Sequence, residues 1–252
     1  MRLSLSLLTL ACSLALTGCQ QDAATPAAPA VAETPAAAPE VAAVDQTTET
    51  QRRLMAIIEN AHRSDADRAR DAFRHPVETL SFFGVNPDTK LIEITPGGGW
   101  YADILAPFLR AHGSYTAAIW DDTAEGSPEY YKRLNTSLSE KLQATPELYG
   151  APNLLRFDTK APVFGEPESA DTVLTFRNAH NWIKNDLGPA YFAAFYSVLK
   201  PGGTLGVVDH RAADGTEYDP NSGYVTEQQI IDLATAAGFQ LMARSEINAN
   251  PN

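Results

Sequence analysis

Hydrophobic and polar positions change period several times along the chain, and each change marks an element. From about Thr50 to Phe73, Leu54, Ile57, Ile58 and Ala61 recur at helical spacing with charges between them, which predicts one amphipathic helix ended by Arg74, His75 and Pro76. Leu91 to Thr95 is a short apolar run with β-branched residues that stops at Pro96 and three glycines, the pattern of a buried strand entering a tight loop. A helix is expected through Tyr101 to Arg110, with Ile104, Leu105, Phe108 and Leu109 on a face suited to a sheet and Gly113 as its stop. Further strands are expected at Tyr115 to Trp120, Asn153 to Phe157, Ala170 to Phe176 and Thr204 to Val208, and Phe239 to Ala243 begins a sixth. Helical segments lie between them at about Pro128 to Gln143, Leu187 to Leu199 and Glu227 to Ala237, the last with Thr226 as N-cap. Strands alternating with helices in this way predict an α/β domain: a doubly wound, mainly parallel sheet with helices on both faces.

The start of the chain reads differently. Met1 and Arg2 precede the apolar run Leu3 to Leu16, giving residues 1–18 the charged and apolar regions of a secretory signal. That run is shorter than the roughly 20 apolar residues a membrane span needs. Leu16, Thr17, Gly18 and Cys19 resemble the lipobox of bacterial lipoproteins, which implies a lipid on Cys19 at the new N-terminus. Gln20 follows rather than Asp, and by the same resemblance this favours the outer membrane, with the protein on the periplasmic side. Residues 19–49 are rich in Ala and Pro and poor in large apolar side chains, so they are expected to be a disordered tether for a single domain at 50–252.

Composition narrows the chemistry. The two cysteines, Cys12 and Cys19, both precede the domain, so it has neither a disulfide nor a cysteine nucleophile. A net charge of −12 without any Lys/Arg run argues against a nucleic-acid partner. The five histidines show no H-x-x-x-H or H-x-H spacing, and no metal site is expected.

Doubly wound sheets bind ligands at the carboxyl ends of their strands, and the polar residues fall there. After the first strand, Gly97, Gly98 and Gly99 allow a sharp turn and close approach of a ligand to the backbone. Pro96 offers no N–H to that ligand. Gly97, Gly99 and Ala102 also fit the G-x-G-x-x-A loop of dinucleotide folds. Asp121, with Asp122 beside it, closes the second strand, where an acidic residue would bind ribose hydroxyls in either case.

Glu93, Thr95, Gly97 and Gly99 take the spacing of an E-x-G-x-G-x-G loop in which Thr95 replaces the first glycine. Leu199 to Leu205 reads L-K-P-G-G-T-L. Together these resemble the class I S-adenosylmethionine-dependent methyltransferases over Pro76 to Ala243. The resemblance implies a Rossmann-like methyltransferase fold, in which an antiparallel strand would follow the sixth and is expected to be missing from this chain. It also implies S-adenosylmethionine as cofactor, held by Glu93, Thr95, Gly97, Gly99, Asp121, Asp158 and Arg177, with Asp158 facing the adenine amino group. The candidates for chemistry follow strands four and five: His180 as a base, or else a packed residue at the sheet edge, then Asn178, then His210. Trp182 is expected as a pocket wall or core residue, and His75 as a helix-end contact.

The expected activity is methyl transfer to an unknown small-molecule acceptor. S-adenosylmethionine is made in the cytoplasm, however, so an exported protein needs the cofactor supplied outside. A non-catalytic envelope binding protein on the same scaffold is the alternative, and a nicotinamide-dependent oxidoreductase the third.

Overall fold

The computed structural model describes residues 40–213 and 215–249. The expected signal segment, Cys19 and the tether as far as residue 39 lie outside the described residues.

Five strands, β1 Lys90–Ile94, β2 Ser114–Trp120, β3 Asn153–Phe157, β4 Ala170–Phe176 and β5 Leu199–Val208, form one sheet in the order β3-β2-β1-β4-β5. Every neighbouring pair is parallel. Successive side chains of a strand point to opposite faces, and β1 shows the consequence. Leu91 packs on one side with α1 Glu40–Ile58, α4 Pro76–Phe82, α5 Ala102–Leu109, α6 Glu129–Ala144 and α7 Pro146–Tyr149. Ile92 and Ile94 pack on the other with α8 Ala179–Lys184, α9 Gly188–Val198 and α10 Glu227–Ala237. The helix α9 alone buries Tyr191, Phe192, Phe195 and Val198. Each such side chain contributes about 1.5 to 3 kcal/mol relative to exposure.

The carboxyl ends of all five strands lie on one edge of this parallel sheet, and the order reverses beside β1, where β2 departs to one side and β4 to the other. That reversal opens a crevice at the strand ends.

Two expectations are corrected. The single helix over 50–73 is instead α1, a turn, and two short helices, α2 Asp65–Arg68 and α3 Asp71–Arg74. Buried Arg63 explains the break: it donates to the Ile58 carbonyl at 3.0 Å, capping α1, and grips Asp71 through both terminal nitrogens at 2.8 and 2.6 Å. Ser64 then accepts from the Asp67 N–H and restarts the chain as a helix. His75 takes a left-handed conformation, φ 40, because Pro76 disfavours the helical region for the residue before it. The expected helix-end role of His75 is thus where the structure puts it.

The second correction is the sixth strand, since residues 239–246 form no strand. Gly238 ends α10 in the left-handed region, and Phe239 docks edge-on against Tyr196. Beyond it the segment is tied by side-chain ion pairs, Arg244 to Glu227 and Arg211 to Glu246, and not by a backbone ladder with β5. The fifth strand, expected at Thr204 to Val208, starts earlier, so Lys200 to Gly203 also belong to β5.

Pro107 sits inside α5 and cannot donate to the Asp103 carbonyl. His62 replaces that donor, its Nε2 lying 2.8 Å from the orphaned oxygen. A carbonyl only accepts, so the proton of His62 is on Nε2. Its buried Nδ1 is left without a partner.

Candidate active site

A cleft of about 590 Å³ opens at the carboxyl ends of β1, β4 and β5. Its floor is the loop after β1. Thr95 continues the ladder by donating to the Ala118 carbonyl at 2.8 Å, then turns the chain with φ 48, and Gly97 and Gly99 follow at φ 60 and φ 81. Gly99 is required twice over, because a Cβ there would also lie 2.7 Å from Leu138 Cδ1. A methyl group added at Gly97 or Gly98 would meet nothing within 4 Å, so the backbone of both residues faces open space.

The loop is clamped from below. Lys141 of α6 donates to the Gly98 carbonyl at 3.2 Å and to Asp103 at 2.8 Å, and the Tyr149 hydroxyl donates to the other Asp103 oxygen at 2.9 Å. Thr95 itself is strained, since a left-handed β-branched residue costs about 1 to 3 kcal/mol. Among the described residues its buried Oγ1 has no hydrogen-bond partner. Strain and an orphaned hydroxyl at one residue point to a ligand contact.

Glu93 is 2% exposed and accepts a 2.7 Å hydrogen bond from the Tyr115 hydroxyl. Burial raises its pKa to about 8, so it is mainly a neutral acid at pH 7.

At the far wall two histidines have distinct states. His180 Nδ1 lies 2.8 Å from Asp209 Oδ1, and the His180 backbone N–H donates to Asp209 Oδ2 at 3.1 Å. The Asp209 carboxylate is nearly buried. A carboxylate accepts only, so Nδ1 carries a proton, and in the neutral ring the lone pair is then on Nε2. His210 differs: Arg177 Nε donates to its Nε2 at 2.9 Å, which occupies that lone pair. Burial, and then the Arg177 charge, lower the pKa of His210, keeping it neutral. In this arrangement Asp209 orients the His180 ring, and a neutral His180 could accept a proton through Nε2.

Asn178 lines the cleft, but its amide donates to the carbonyls of Ile94 and Phe176 and to Thr175 Oγ1, pinning the ends of β1 and β4 together. Trp182 is core, stacked on Tyr191 with centroids 4.4 Å apart.

The expected nucleotide-side carboxylates are placed elsewhere. Asp121 Oδ1 accepts from the Thr123 N–H and hydroxyl at 3.0 and 2.6 Å, bonds that also lower its pKa, and it does not line the cleft. Asp158 likewise caps its own turn, accepting from the Lys160 N–H at 2.8 Å. Asp122 pairs with Arg156 at 3.1 Å. The end of β2 instead presents Trp120 to the cleft, its ring stacked on Tyr131 with centroids 4.4 Å apart.

Arg70, Arg74 and Trp100 are among the lining residues that had no counterpart among the sequence candidates. Arg74 lies over the Trp100 ring, 4.7 Å from its centroid. Arg74 ends α3 and Arg70 is its N-cap, and Arg63 ties the start of that helix through Asp71.

No protein-family model matches the chain, and no curated protein does. Solved structures do. A SAM-dependent methyltransferase from Aquifex aeolicus is similar over 77% of this chain and 90% of that one, with 16% identity and a TM-score of 0.53. The magnesium protoporphyrin IX methyltransferase of Synechocystis, solved with bound SAM, is similar over 83% and 91%, with 15% identity and a TM-score of 0.46. With its parallel five-stranded sheet covered by helices on both faces, the chain has the Rossmann-like fold of the Aquifex methyltransferase.

Proposed function

We propose that the protein transfers a methyl group from S-adenosylmethionine to a small protic acceptor, with His180 as the base. The observation that carries this is the His180–Asp209 pair facing the strained glycine loop across one cleft. The loop fits the cofactor: Gly97 and Gly98 leave backbone uncovered, and Thr95 Oγ1 is a buried hydroxyl lacking a partner. Trp120 supplies an apolar face for adenosine where a carboxylate was expected.

Bound there, S-adenosylmethionine supplies a methyl group on a sulfonium leaving group, so the protein's task is alignment and proton removal. His180 Nε2 takes the acceptor's proton, and Asp209 holds the ring in that tautomer and stabilises the imidazolium that forms. Methyl-tritiated S-adenosylmethionine, photo-crosslinked to the protein, tests the reading. Label should enter the wild type, be displaced by S-adenosylhomocysteine, and be lost in Gly98→Leu, whose side chain enters open space without disturbing the fold. Label that persists in Gly98→Leu would contradict it.

We also propose envelope anchoring through Cys19, supported by the run from Leu3 into Leu16, Thr17, Gly18 and Cys19. Among the described residues no helix is long and apolar enough to cross a membrane. Labelled palmitate should enter the wild-type chain and not Cys19→Ser. Export is also what favours the second reading, a binding protein that holds a ligand without turning it over. A protein isolated from the envelope that binds S-adenosylhomocysteine yet methylates nothing in a periplasmic extract would decide for it.

A further inference from the structure

Arginines in this chain generally meet carboxylates, as 31 acidic residues against 19 basic ones would lead one to expect. Arg63 grips Asp71, Arg156 meets Asp122, Arg211 meets Glu246 and Arg244 meets Glu227. Two arginines that line the cleft, half-buried Arg74 and exposed Arg177, do not. Among the described residues neither Arg74 nor Arg177 has an ion-pair partner.

Arg74 is half-buried, and its guanidinium carbon stands 4.7 Å from the Trp100 ring centroid, a contact that satisfies none of its N–H groups. Arg177 donates only Nε, to His210, and its two terminal nitrogens make no hydrogen bond within the described residues. The nearby carboxyl, Glu93, is taken by Tyr115 and kept mainly neutral by burial, so it offsets the Arg74 charge only in part. Burial lowers the pKa of Arg74, and the charges of Arg70 and Arg177 lower it further. Like charges that feel one another at a cleft are unfavourable until a negative group joins them. A guanidinium fork matches a planar or tetrahedral oxyanion through two parallel hydrogen bonds.

We infer that the molecule taken up beside His180 carries a small oxyanion, a carboxylate or a phosphate, held by Arg74 and Arg177. As the identity of the methyl acceptor this rests on the methyl-transfer reading; as an anion site it does not. The same chemistry has a second source, the carboxylate of the cofactor's own amino-acid tail, and the test must separate the two.

The probes are benzoate and inorganic phosphate, titrated calorimetrically at low ionic strength into the full chain, with and without saturating S-adenosylhomocysteine. Binding of at least one probe is expected in both conditions, weakened about tenfold to a hundredfold by Arg74→Gln and by Arg177→Asn. Asn suits position 177 because it tolerates the positive φ of 64 found there. Should Arg74→Gln fail to fold, Arg74→Lys keeps the charge, loses the fork, and should still weaken binding. Three results overturn the inference: neither probe binds; the arginine variants bind as tightly as the wild type; or S-adenosylhomocysteine displaces the probe and itself loses affinity in both variants, which assigns the pair to the cofactor. If S-adenosylhomocysteine fails to bind while a probe binds and needs both arginines, the methyl-transfer reading falls and the anion site stands.

Discussion

His180 Nδ1 and Asp209 Oδ1 stand 2.8 Å apart although one residue follows β4 and the other closes β5. The parallel register that pairs Phe176 with Val208 brings them together, so the pair is a product of the sheet and not of local sequence. Nitrogen-15 spectra of the imidazoles should show His180 protonated on Nδ1 and His210 with an unprotonated Nε2. Asp209→Asn should scramble the His180 tautomer and lower methyl transfer by about 10²- to 10⁴-fold while leaving S-adenosylhomocysteine binding intact. An unchanged His180 spectrum in that variant would remove Asp209 from its orienting role.

Glu93 makes stability depend on pH. Burial raises its pKa to about 8, above the unfolded value near 4.3, so folding takes up a proton between the two. The stability involved is fully present below the unfolded value and is lost as pH rises through about 8, with a limiting slope of about 1.4 kcal/mol per pH unit. Urea titrations from pH 5 to 9 should show this decline in the wild type and a flatter profile in Glu93→Gln. Equal slopes would place the titration elsewhere.

Gly98 and Gly99 are neighbours with opposite tolerances. Gly99→Ala combines a positive φ of 81 with a Cβ 2.7 Å from Leu138, and should cost about 1 to 3 kcal/mol in thermal or urea unfolding. Gly98→Ala should leave stability within about 0.5 kcal/mol.

The His62 ring standing in for the N–H that Pro107 lacks gives a closed thermodynamic cycle. His62→Leu alone orphans the Asp103 carbonyl and should cost about 1 to 3 kcal/mol. Pro107→Ala supplies a backbone N–H at that position, so the double variant should recover part of the loss in urea unfolding. Strict additivity would show that His62 does not serve this carbonyl.

What the sequence disclosed and what it withheld follow from the range of the forces involved. The strands β1, β2 and β4 were legible because burial leaves near-continuous apolar runs, and the loop after β1 because its glycines take positive φ without a Cβ penalty. Phe239 to Ala243 was apolar enough for a strand but meets no ladder partner, and composition does not reveal pairing. Trp120 and Asp121 differ by one position, and strand parity sends one to the cleft and leaves the other to cap its own turn with Thr123. Arg70 and Arg74 looked like the polar face of one helix; both line the cleft from the short α3 and its N-cap, after a break in the helix that periodicity does not encode.

Isothermal titration of the wild-type protein with S-adenosylhomocysteine tests the central claim most directly. Saturable one-to-one binding is expected, abolished by Gly98→Leu and little changed by Asp121→Ala, whose carboxylate is engaged by Thr123. No heat up to millimolar ligand would contradict it, and a large loss on Asp121→Ala would contradict the placement of the cofactor against Trp120.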